Sequence, residues 1–290
     1  MGDIEKNCTT ALISGLEVIS GIPDRKGTIK TVLFDFDGTI STLRQGWEDI
    51  MEPFMIEMIC GDSLPDTETI EKVRDYIDAS TGIQTIYQMQ WLAEEVSKKR
   101  YHAMTHDEWW YKEEYNRRLL LSVKRRIEMI TRGEKKPEEF MIYGAEKFIK
   151  SLADKGIELY IASGTDHDDI LKEAKMLGID RYFMYIAGAP LKKKACSKEA
   201  VINDLLNQRK IDNTELLIVG DGKVEIELGI RAGALTLGMA TDEVNRSGIS
   251  LAKRRRLIRA GAHAIAGDYT NCHQINQWLG LSQINNVNSL

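Results

Sequence analysis

Two aspartates, Asp35 and Asp37, stand one residue apart directly after a short apolar run that is predicted to be a buried strand. Carboxylates about 4 Å apart repel by on the order of 4 kcal/mol at a surface-like dielectric, so they need a positive partner. Mg²⁺ held by one or two carboxylates plus substrate phosphate is a common solution. Gly38 allows a sharp turn here, and Thr39 offers a hydroxyl and an amide to an anion. This segment is therefore a candidate magnesium and phosphate site, although the same spacing also occurs in solvated loops.

Further candidates follow in order along the chain. Ser163 and Gly164 come after a second predicted strand, where a hydroxyl and free amides at a helix start can hold a phosphate oxygen. Lys198 stands at the start of a predicted helix, Asp221 ends a later strand, and Glu225 comes one helical turn after it. Open α/β sheets place their ligands at the carboxyl ends of strands. We therefore expect these side chains to meet the first segment.

The elements that must position them alternate between short apolar runs and longer helical patterns. This alternation predicts an α/β core with parallel strands covered by helices. The predicted strands are residues 31–36, 158–162, 183–187, 216–219 and 235–237, with a further candidate at 262–266.

One region interrupts the alternation, because residues 43–140 show helical spacing and no convincing strand. We predict an inserted all-helical domain there, with a core made of residues 1–42 and 141–290. Thr105 and Glu108 fit a capping box, and Pro53 should end or kink a helix. Residues 1–28 are left over and could add an edge strand or contact a partner.

Composition excludes several classes of function. The net charge of −5, from 39 basic and 44 acidic residues, gives no positive field for nucleic acid or an anionic membrane. No apolar run approaches the roughly 20 residues that span a bilayer, and the N-terminus lacks the features of a secretion signal, so we expect a cytoplasmic protein. The four cysteines show no Cys-x-x-Cys spacing, which argues against a zinc site or disulfide framework.

As an ordered set, these motifs resemble the haloacid dehalogenase superfamily of phosphotransferases, in the phosphoglycolate phosphatase and β-phosphoglucomutase-like group. The resemblance covers roughly residues 29–42 and 140–268. It implies a three-layer Rossmann-like core with a mostly parallel sheet and a helical cap at 43–140. It also makes Asp35 the nucleophile and Asp37 the general acid and base.

The resemblance further implies which residues bind phosphate. Ser163 and Lys198 would hold the transferring phosphoryl group, with Gly38, Thr39 and Gly164 beside them. The run of lysines at 192–194 competes with Lys198, but its more ordinary interpretation is a solvated loop. Arg44 lies just past the first hinge, as does Trp47, and either could face the substrate or only pack. The basic cluster at 253–256 is predicted to be a solvated helix face.

The implied metal is Mg²⁺, held by Asp35, the backbone carbonyl of Asp37, and Asp221. Glu225 stands where an aspartate is usual in the family, so it could bind the metal directly or act through water. The predicted function is a Mg²⁺-dependent phosphatase that hydrolyses a small phosphorylated metabolite through an aspartyl phosphate. A phosphomutase on the same scaffold and a non-catalytic regulator that accepts phosphate are the alternatives. The pattern leaves the oligomeric state open.

Overall fold

The computed structural model describes residues 11–13, 15–19, 29–98, 105–190, 192–193 and 197–281. The strands are β1 Ala11–Ile13, β2 Leu16–Val18, β3 Thr31–Phe34, β4 Glu158–Asp166, β5 Tyr185–Ala189, β6 Leu216–Gly220, β7 Leu235–Met239 and β8 Ala264–Ala266. The α-helices are α1 Glu48–Cys60, α2 Thr67–Ala79, α3 Thr85–Lys98, α4 Glu108–Thr131, α5 Ala145–Ala153, α6 His167–Met176, α7 Ser197–Asn203, α8 Lys223–Ala232, α9 Leu251–Arg259 and α10 Cys272–Trp278.

Within these residues the strands form one sheet in the order β1-β2-β8-β7-β6-β3-β4-β5. The pairings from β8 through to β5 are all parallel, whereas β1 and β2 form a hairpin that pairs antiparallel with β8. Strand β3 lies between β4 and β6. The carboxyl ends of these three neighbouring strands therefore meet at one edge of the sheet.

Strand β3 shows why the sheet is covered on both faces. Its four residues are all buried, as expected for a central parallel strand. Val32 and Phe34 face one apolar cluster, which includes Phe148 of α5. Leu33 points to the opposite side and packs in a second cluster with Leu205, which follows α7. The result is a helix–sheet–helix sandwich, so the predicted α/β fold with a mostly parallel sheet is confirmed.

The predicted strands all exist, but several of their ends differ. Strand β3 stops two residues before the predicted end, and β5 begins at Tyr185 because a 3₁₀ turn, Asp180–Tyr182, precedes it. Strand β4 runs four residues further than predicted, to Asp166. The first 28 residues extend the sheet at its edge, as predicted, but with two strands: β2 pairs with β8, and β1 lies outside β2 as the edge strand.

Residues 43–98 and 105–140 contain helices and no strand, as predicted. Helices α1 to α4 share an apolar cluster of their own, separate from those around the sheet, with Phe54, Met55, Met89, Leu92 and Tyr111 among its members. The division of the chain into two domains at residues 42 and 141 stays a prediction.

The predicted cap of α4 was wrong, and so was the first of the two alternatives predicted for Pro53, that it ends a helix. Asp107, not Thr105, caps α4, because its carboxylate lies directly before the helix and accepts a hydrogen bond from Trp110 N at 2.9 Å. Helix α1 continues through Pro53 instead of ending there. Met51 and Phe54 on either side of the proline are buried in the cluster of the helical region, which holds this stretch in place. None of the helices in the described ranges is both long and apolar enough to cross a membrane.

Candidate active site

A cavity opens where β3, β4 and β6 end. Seven of the predicted site residues line it: Arg44 and Gly164, and the candidates for catalysis and metal binding Asp35, Asp37, Ser163, Lys198 and Asp221. The last five come from three strands and one helix, and they are separated by up to 186 positions in the chain. Their meeting follows from the strand order, because β3 has β4 and β6 as direct neighbours.

Asp35 is buried and lies beside a cation. Lys198 Nζ is 2.9 Å from Asp35 Oδ1, and Thr39 Oγ1 donates a hydrogen bond to Asp35 Oδ2 at 3.2 Å. Burial raises the pKa of Asp35 well above its usual value. The Lys198 ammonium counters this shift, whereas the carboxylates of Glu225 and Asp221 add to it. A further positive charge near Asp35 would therefore favour its ionised, nucleophilic form.

Asp37 has two oxygens in different surroundings. Oδ2 accepts hydrogen bonds from Thr165 Oγ1 at 2.7 Å and Ser163 Oγ at 3.4 Å. Oδ1 is buried and has no hydrogen-bond partner among the described residues, with Arg44 Nε 4.0 Å away. Burial raises the pKa of Asp37, and the Arg44 charge and the Thr165 hydroxyl counter part of that shift. One oxygen is thus anchored and the other is available to exchange a proton.

Lys198 bridges two carboxylates at the start of α7. Besides Asp35 it contacts Glu225 Oε2 at 2.7 Å, and Glu225 Oε1 accepts a hydrogen bond from Gly222 N at 2.5 Å. Burial disfavours the charged lysine, but the Asp35 and Glu225 carboxylates outweigh burial and raise its pKa, so Lys198 remains an ammonium ion. Lys192 is exposed, as is its neighbour Lys193, and the third lysine of that run lies outside the described residues.

Three buried carboxylates could hold a cation. One oxygen from each of Asp35, Asp221 and Glu225 lies within 4.8 Å of the others. Gly38, with φ of +71°, makes room for this group, because a Cβ there would lie 2.4 Å from Asp221 Oδ2. Hard oxygen donors in a compact cluster suit Mg²⁺. The carboxylate of Asp37 is not part of the cluster, in keeping with the predicted use of its backbone carbonyl.

The basic cluster at 253–256 was wrongly predicted to be a solvated face. Lys253 is buried, and its Nζ lies 2.7 Å from Asp221 Oδ2 and 2.5 Å from Glu243 Oε1. Arg256 donates to the backbone carbonyl of Asp221 at 3.3 Å. One signal could have indicated this: Lys253 precedes Leu257 by four residues and so shares the buried face of α9 with it.

Arg44 lines the cavity, but its guanidinium is engaged with acidic groups of α6. Its Nη2 donates to Glu173 Oε1 at 2.6 Å, its Nε to the same oxygen at 3.1 Å, and Asp169 lies 3.4 Å from Nη2. No motif or spacing singled out Glu173 or Asp169. Phosphate binding by Arg44 stays a prediction, and the observed pairs favour a role in orienting the nearby Asp37.

The helical region contributes the opposite wall of the cavity. The loop between α2 and α3 reaches the core so closely that a Cβ on Gly164 would lie 2.7 Å from the Ile83 carbonyl oxygen. Glycine at 164 is therefore needed for this contact. Trp47, Tyr115 and Leu119 complete this side of the cavity. The reacting groups thus lie between the sheet edge and the helical insertion, where water is partly excluded.

Residues 29–233 match the family model described as haloacid dehalogenase-like hydrolase. The chain belongs to this family. Among curated proteins, the haloacid dehalogenase-like chain is 28% identical over 97 residues to the pyrophosphatase PpaX of Listeria monocytogenes, and equally to that of Listeria innocua. The matched segment covers 33% of this chain and 45% of each relative, so the similarity extends over less than half of their length.

Solved structures share the fold over most of the haloacid dehalogenase-like chain. A predicted phosphoglycolate phosphatase from Haemophilus somnus superposes with a TM-score of 0.57 at 16% identity, covering 87% of this chain and 100% of its own. A β-phosphoglucomutase from Clostridium difficile superposes with a TM-score of 0.58 at 16% identity, covering 87% of this chain and 97% of its own. At this level of identity the comparison concerns the fold alone.

Proposed function

We propose that this protein is a Mg²⁺-dependent phosphatase that hydrolyses a small phosphorylated metabolite by way of a phosphoryl group on Asp35. The observation that carries the proposal is the buried contact of Asp35 with Lys198, beside Asp221. The same cavity contains Asp37, whose Oδ1 has no hydrogen-bond partner among the described residues. A carboxylate nucleophile, a fixed cation and a separately placed acid are the groups that such a reaction needs.

In the first step a carboxylate oxygen of Asp35 attacks phosphorus, and the bond from phosphorus to the ester oxygen breaks. Asp37 gives its proton to the departing alkoxide through the oxygen that has no other partner. The raised pKa of Asp37 supports this role, because the proton must be present before the ester bond breaks.

In the second step water replaces Asp35 on phosphorus. Asp37, now ionised, takes a proton from the water as its oxygen attacks, and the bond from phosphorus to Asp35 breaks. The products are inorganic phosphate, a free Asp35 carboxylate and a reprotonated Asp37, so the chain returns to its starting state. Thr165 and Ser163 hold Asp37 in place through both steps.

Asp35, Asp221 and the backbone carbonyl of Asp37 would hold the Mg²⁺ ion. Bound Mg²⁺ supplies positive charge to the phosphoryl oxygens and to Asp35, which lowers the repulsion between two anions that must react. Glu225 acts by holding Lys198, because its oxygens already accept bonds from that lysine and from Gly222 N.

Lys198 and Ser163, with the nearby Thr39, Gly38 and Gly164, would bind the phosphoryl oxygens. The ammonium of Lys198 compensates charge that builds up on those oxygens in the transition state, in a buried site where such a charge acts strongly. The hydroxyl of Ser163 accepts a hydrogen bond from Thr165 N at 3.0 Å and donates one to Asp37 Oδ2 at 3.4 Å, which fixes its position beside the proposed acid.

Turnover of phenyl phosphate tests the proposal. We expect phosphate release that requires Mg²⁺, stops with EDTA and is lost in Asp35→Asn. The matched control is Asp62→Asn, the same substitution at an exposed turn, which should leave turnover unchanged. Absence of metal-dependent turnover in the wild type, or turnover that survives in Asp35→Asn, would contradict the proposal. A phosphorylated protein that fails to hydrolyse would instead support a phosphoacceptor regulator.

A further inference from the structure

Beyond Arg44, the wall of the cavity contributed by the helical region is uncharged and partly apolar. Trp47 and Met51 of the first helical segment, Ile83 of the loop after α2, and Leu119 of α4 all face the cavity. Tyr115 also lines it, and burial raises the pKa of its phenol, so the side chain remains uncharged. This wall faces the side on which the leaving group of a substrate bound at Asp35 would lie.

The other polar groups of this wall are also neutral. Thr85 begins α3, and Gln88 lies one turn later and donates to Ser80 Oγ at 3.1 Å. A hydroxyl and an amide can bind the alcohol or carbonyl groups of a ligand. They cannot compensate a full negative charge that is removed from water.

Arg44 and Lys198 are the cationic side chains among the described residues that line the cavity. Both are already paired. Arg44 forms its shortest contact, 2.6 Å, with Glu173, and Lys198 lies between Asp35 and Glu225. Neither cation can leave its carboxylates for a second anion without leaving those buried acids uncompensated.

The cations of the lining are already matched by carboxylates. Arg44 is paired with Glu173, and Lys198 is paired with Asp35 and Glu225, so neither adds net positive charge for a substrate. A divalent metal ion then opposes the two charges of one phosphate monoester. The next anionic group on the substrate would have no positive counterpart in the described part of the cavity.

We infer that the substrate is a phosphomonoester of an uncharged, partly apolar alcohol, and that esters with a second anionic group close to the phosphate are rejected. The inference rests on the proposed phosphatase function and specifies its leaving group. It disfavours pyrophosphate, phosphorylated hydroxy acids and the bisphosphates that a phosphomutase must bind. The apolar side chains of the wall attract the leaving group. A second anionic group is discriminated against because its charge would be unpaired in the cavity.

A matched pair of substrates isolates charge from size. We would compare 4-carbamoylphenyl phosphate with 4-carboxyphenyl phosphate, which have nearly the same shape and differ by one negative charge at neutral pH. Because burial of an uncompensated charge costs several kcal/mol, we expect kcat/KM to be at least about tenfold lower for the carboxylate. Phenyl phosphate serves as the reference for turnover without either group.

A lysine placed in the wall should reverse this preference. Thr85→Lys adds a cation at a half-buried helix start that lines the cavity, and Thr85→Gln adds a similar length without charge. We expect Thr85→Lys to raise the carboxylate-to-carbamoyl ratio of kcat/KM by about tenfold, by supplying the missing partner. Thr85→Gln should leave that ratio near the wild-type value.

The outcomes separate the inference from the function on which it rests. No turnover of any of the three esters would refute the phosphatase proposal itself. Equal kcat/KM for the carbamoyl and carboxy esters would overturn the inference and leave the phosphatase proposal standing. Circular dichroism shows whether Thr85→Lys is folded. If the folded variant has the wild-type carboxylate-to-carbamoyl ratio of kcat/KM, the inference is also overturned, because the discrimination would then not depend on charge.

Discussion

Asp35 and Asp37 are near neighbours in the chain, yet their carboxylates have different environments. Asp35 faces the Lys198 ammonium, whereas Asp37 accepts hydrogen bonds from two hydroxyls and lies farther from the Arg44 charge. Burial raises the pKa of both. The Lys198 ammonium favours the anionic form of Asp35, the proposed nucleophile, whereas burial favours the protonated form of Asp37, the proposed acid, and the Arg44 charge and the Thr165 hydroxyl counter only part of that rise in its pKa.

The substitution Asp37→Asn should therefore slow both chemical steps. An amide keeps the shape of the side chain but cannot release a proton to the leaving group or accept one from water. We expect a loss of roughly two to four powers of ten in kcat, with breakdown of the phosphorylated protein slowed more than its formation. Rapid-quench trapping of the phosphoenzyme measures both rates, and normal breakdown in the variant would refute the role of Asp37.

Glu48, the first residue of α1, gives a prediction on pH and stability. Burial, and secondly the Glu243 carboxylate, raises its pKa to about 7. The folded state therefore holds this proton more tightly than the unfolded state. The proton on Glu48 stabilises the folded state fully below about pH 4.5, which is the pKa of this group in the unfolded chain. This stabilisation is lost as the pH rises through about 7. Glu48→Gln should be close to wild type at pH 4.5 and more stable by about 1 to 3 kcal/mol at pH 8.5.

Urea unfolding at the two pH values, in EDTA, measures this difference. Glu68→Gln, at an exposed glutamate in the first turn of α2, is the matched control and should show no such pH dependence. A free-energy difference between Glu48→Gln and wild type that is the same at both pH values would rule out the assigned titration.

At the scale of elements, helix α9 connects three parts of the molecule. Lys253 pairs with Asp221 at the end of β6, and Arg254 Nε donates to Glu17 of the N-terminal hairpin at 2.6 Å. Arg256 Nη1 donates to Asp78 of α2 at 2.9 Å, and its Nη2 donates to the Asp221 carbonyl. The helix therefore links the candidate metal site, the edge of the sheet and the helical insertion.

Removal of the buried cation of this helix should be costly. Lys253→Met keeps much of the side-chain volume but leaves Asp221 and Glu243 buried without their partner, so we expect a loss of roughly 3 to 5 kcal/mol in the free energy of unfolding. Arg255→Met, on the same helix but exposed, should change stability by at most about 0.5 kcal/mol. Guanidinium unfolding in EDTA compares them, and equal stabilities would contradict the structural role of Lys253.

At the scale of the whole molecule, the candidate metal site exists only when distant parts of the core fold together. The three carboxylates of the cluster come from the ends of β3 and β6 and from α8. Binding of a metal ion to this cluster should therefore stabilise the folded chain, because the unfolded chain does not bring Asp35 and Asp221 together.

Mg²⁺ should consequently raise the melting temperature of the wild type, and the increase should be mostly lost in Asp221→Asn. At a Mg²⁺ concentration about one hundred times the dissociation constant, the expected gain is about 2.7 kcal/mol. Differential scanning calorimetry with Mg²⁺ and with EDTA measures it, and Asp204→Asn, away from the cluster, is the matched control. The same metal-induced shift in Asp221→Asn and wild type would argue against this cluster as the metal site.

Local patterns were enough to predict much of this protein. Short apolar runs ending in Asp35, Ser163 or Asp221 predict both the buried strands and the side chains at their carboxyl ends, because a parallel sheet aligns those ends. The absence of strand spacing over residues 43–140 predicts the helical insertion. Strand ends were less accurate, because turns such as Asp180–Tyr182 depend on packing against neighbouring elements.

Contacts between distant elements could not be predicted in this way. The approach of Lys253 to Asp221 spans 32 residues, and that of Arg44 to Glu173 spans 129. Whether a charged side chain faces solvent or a buried partner depends on how its helix is rotated and packed, and no spacing rule within one segment specifies that. The composition of α9 indicated a basic helix, and tertiary packing placed its cations on the acids of the site. The pairing of the cavity cations with acids, on which the inferred leaving group rests, is likewise a property of the folded chain.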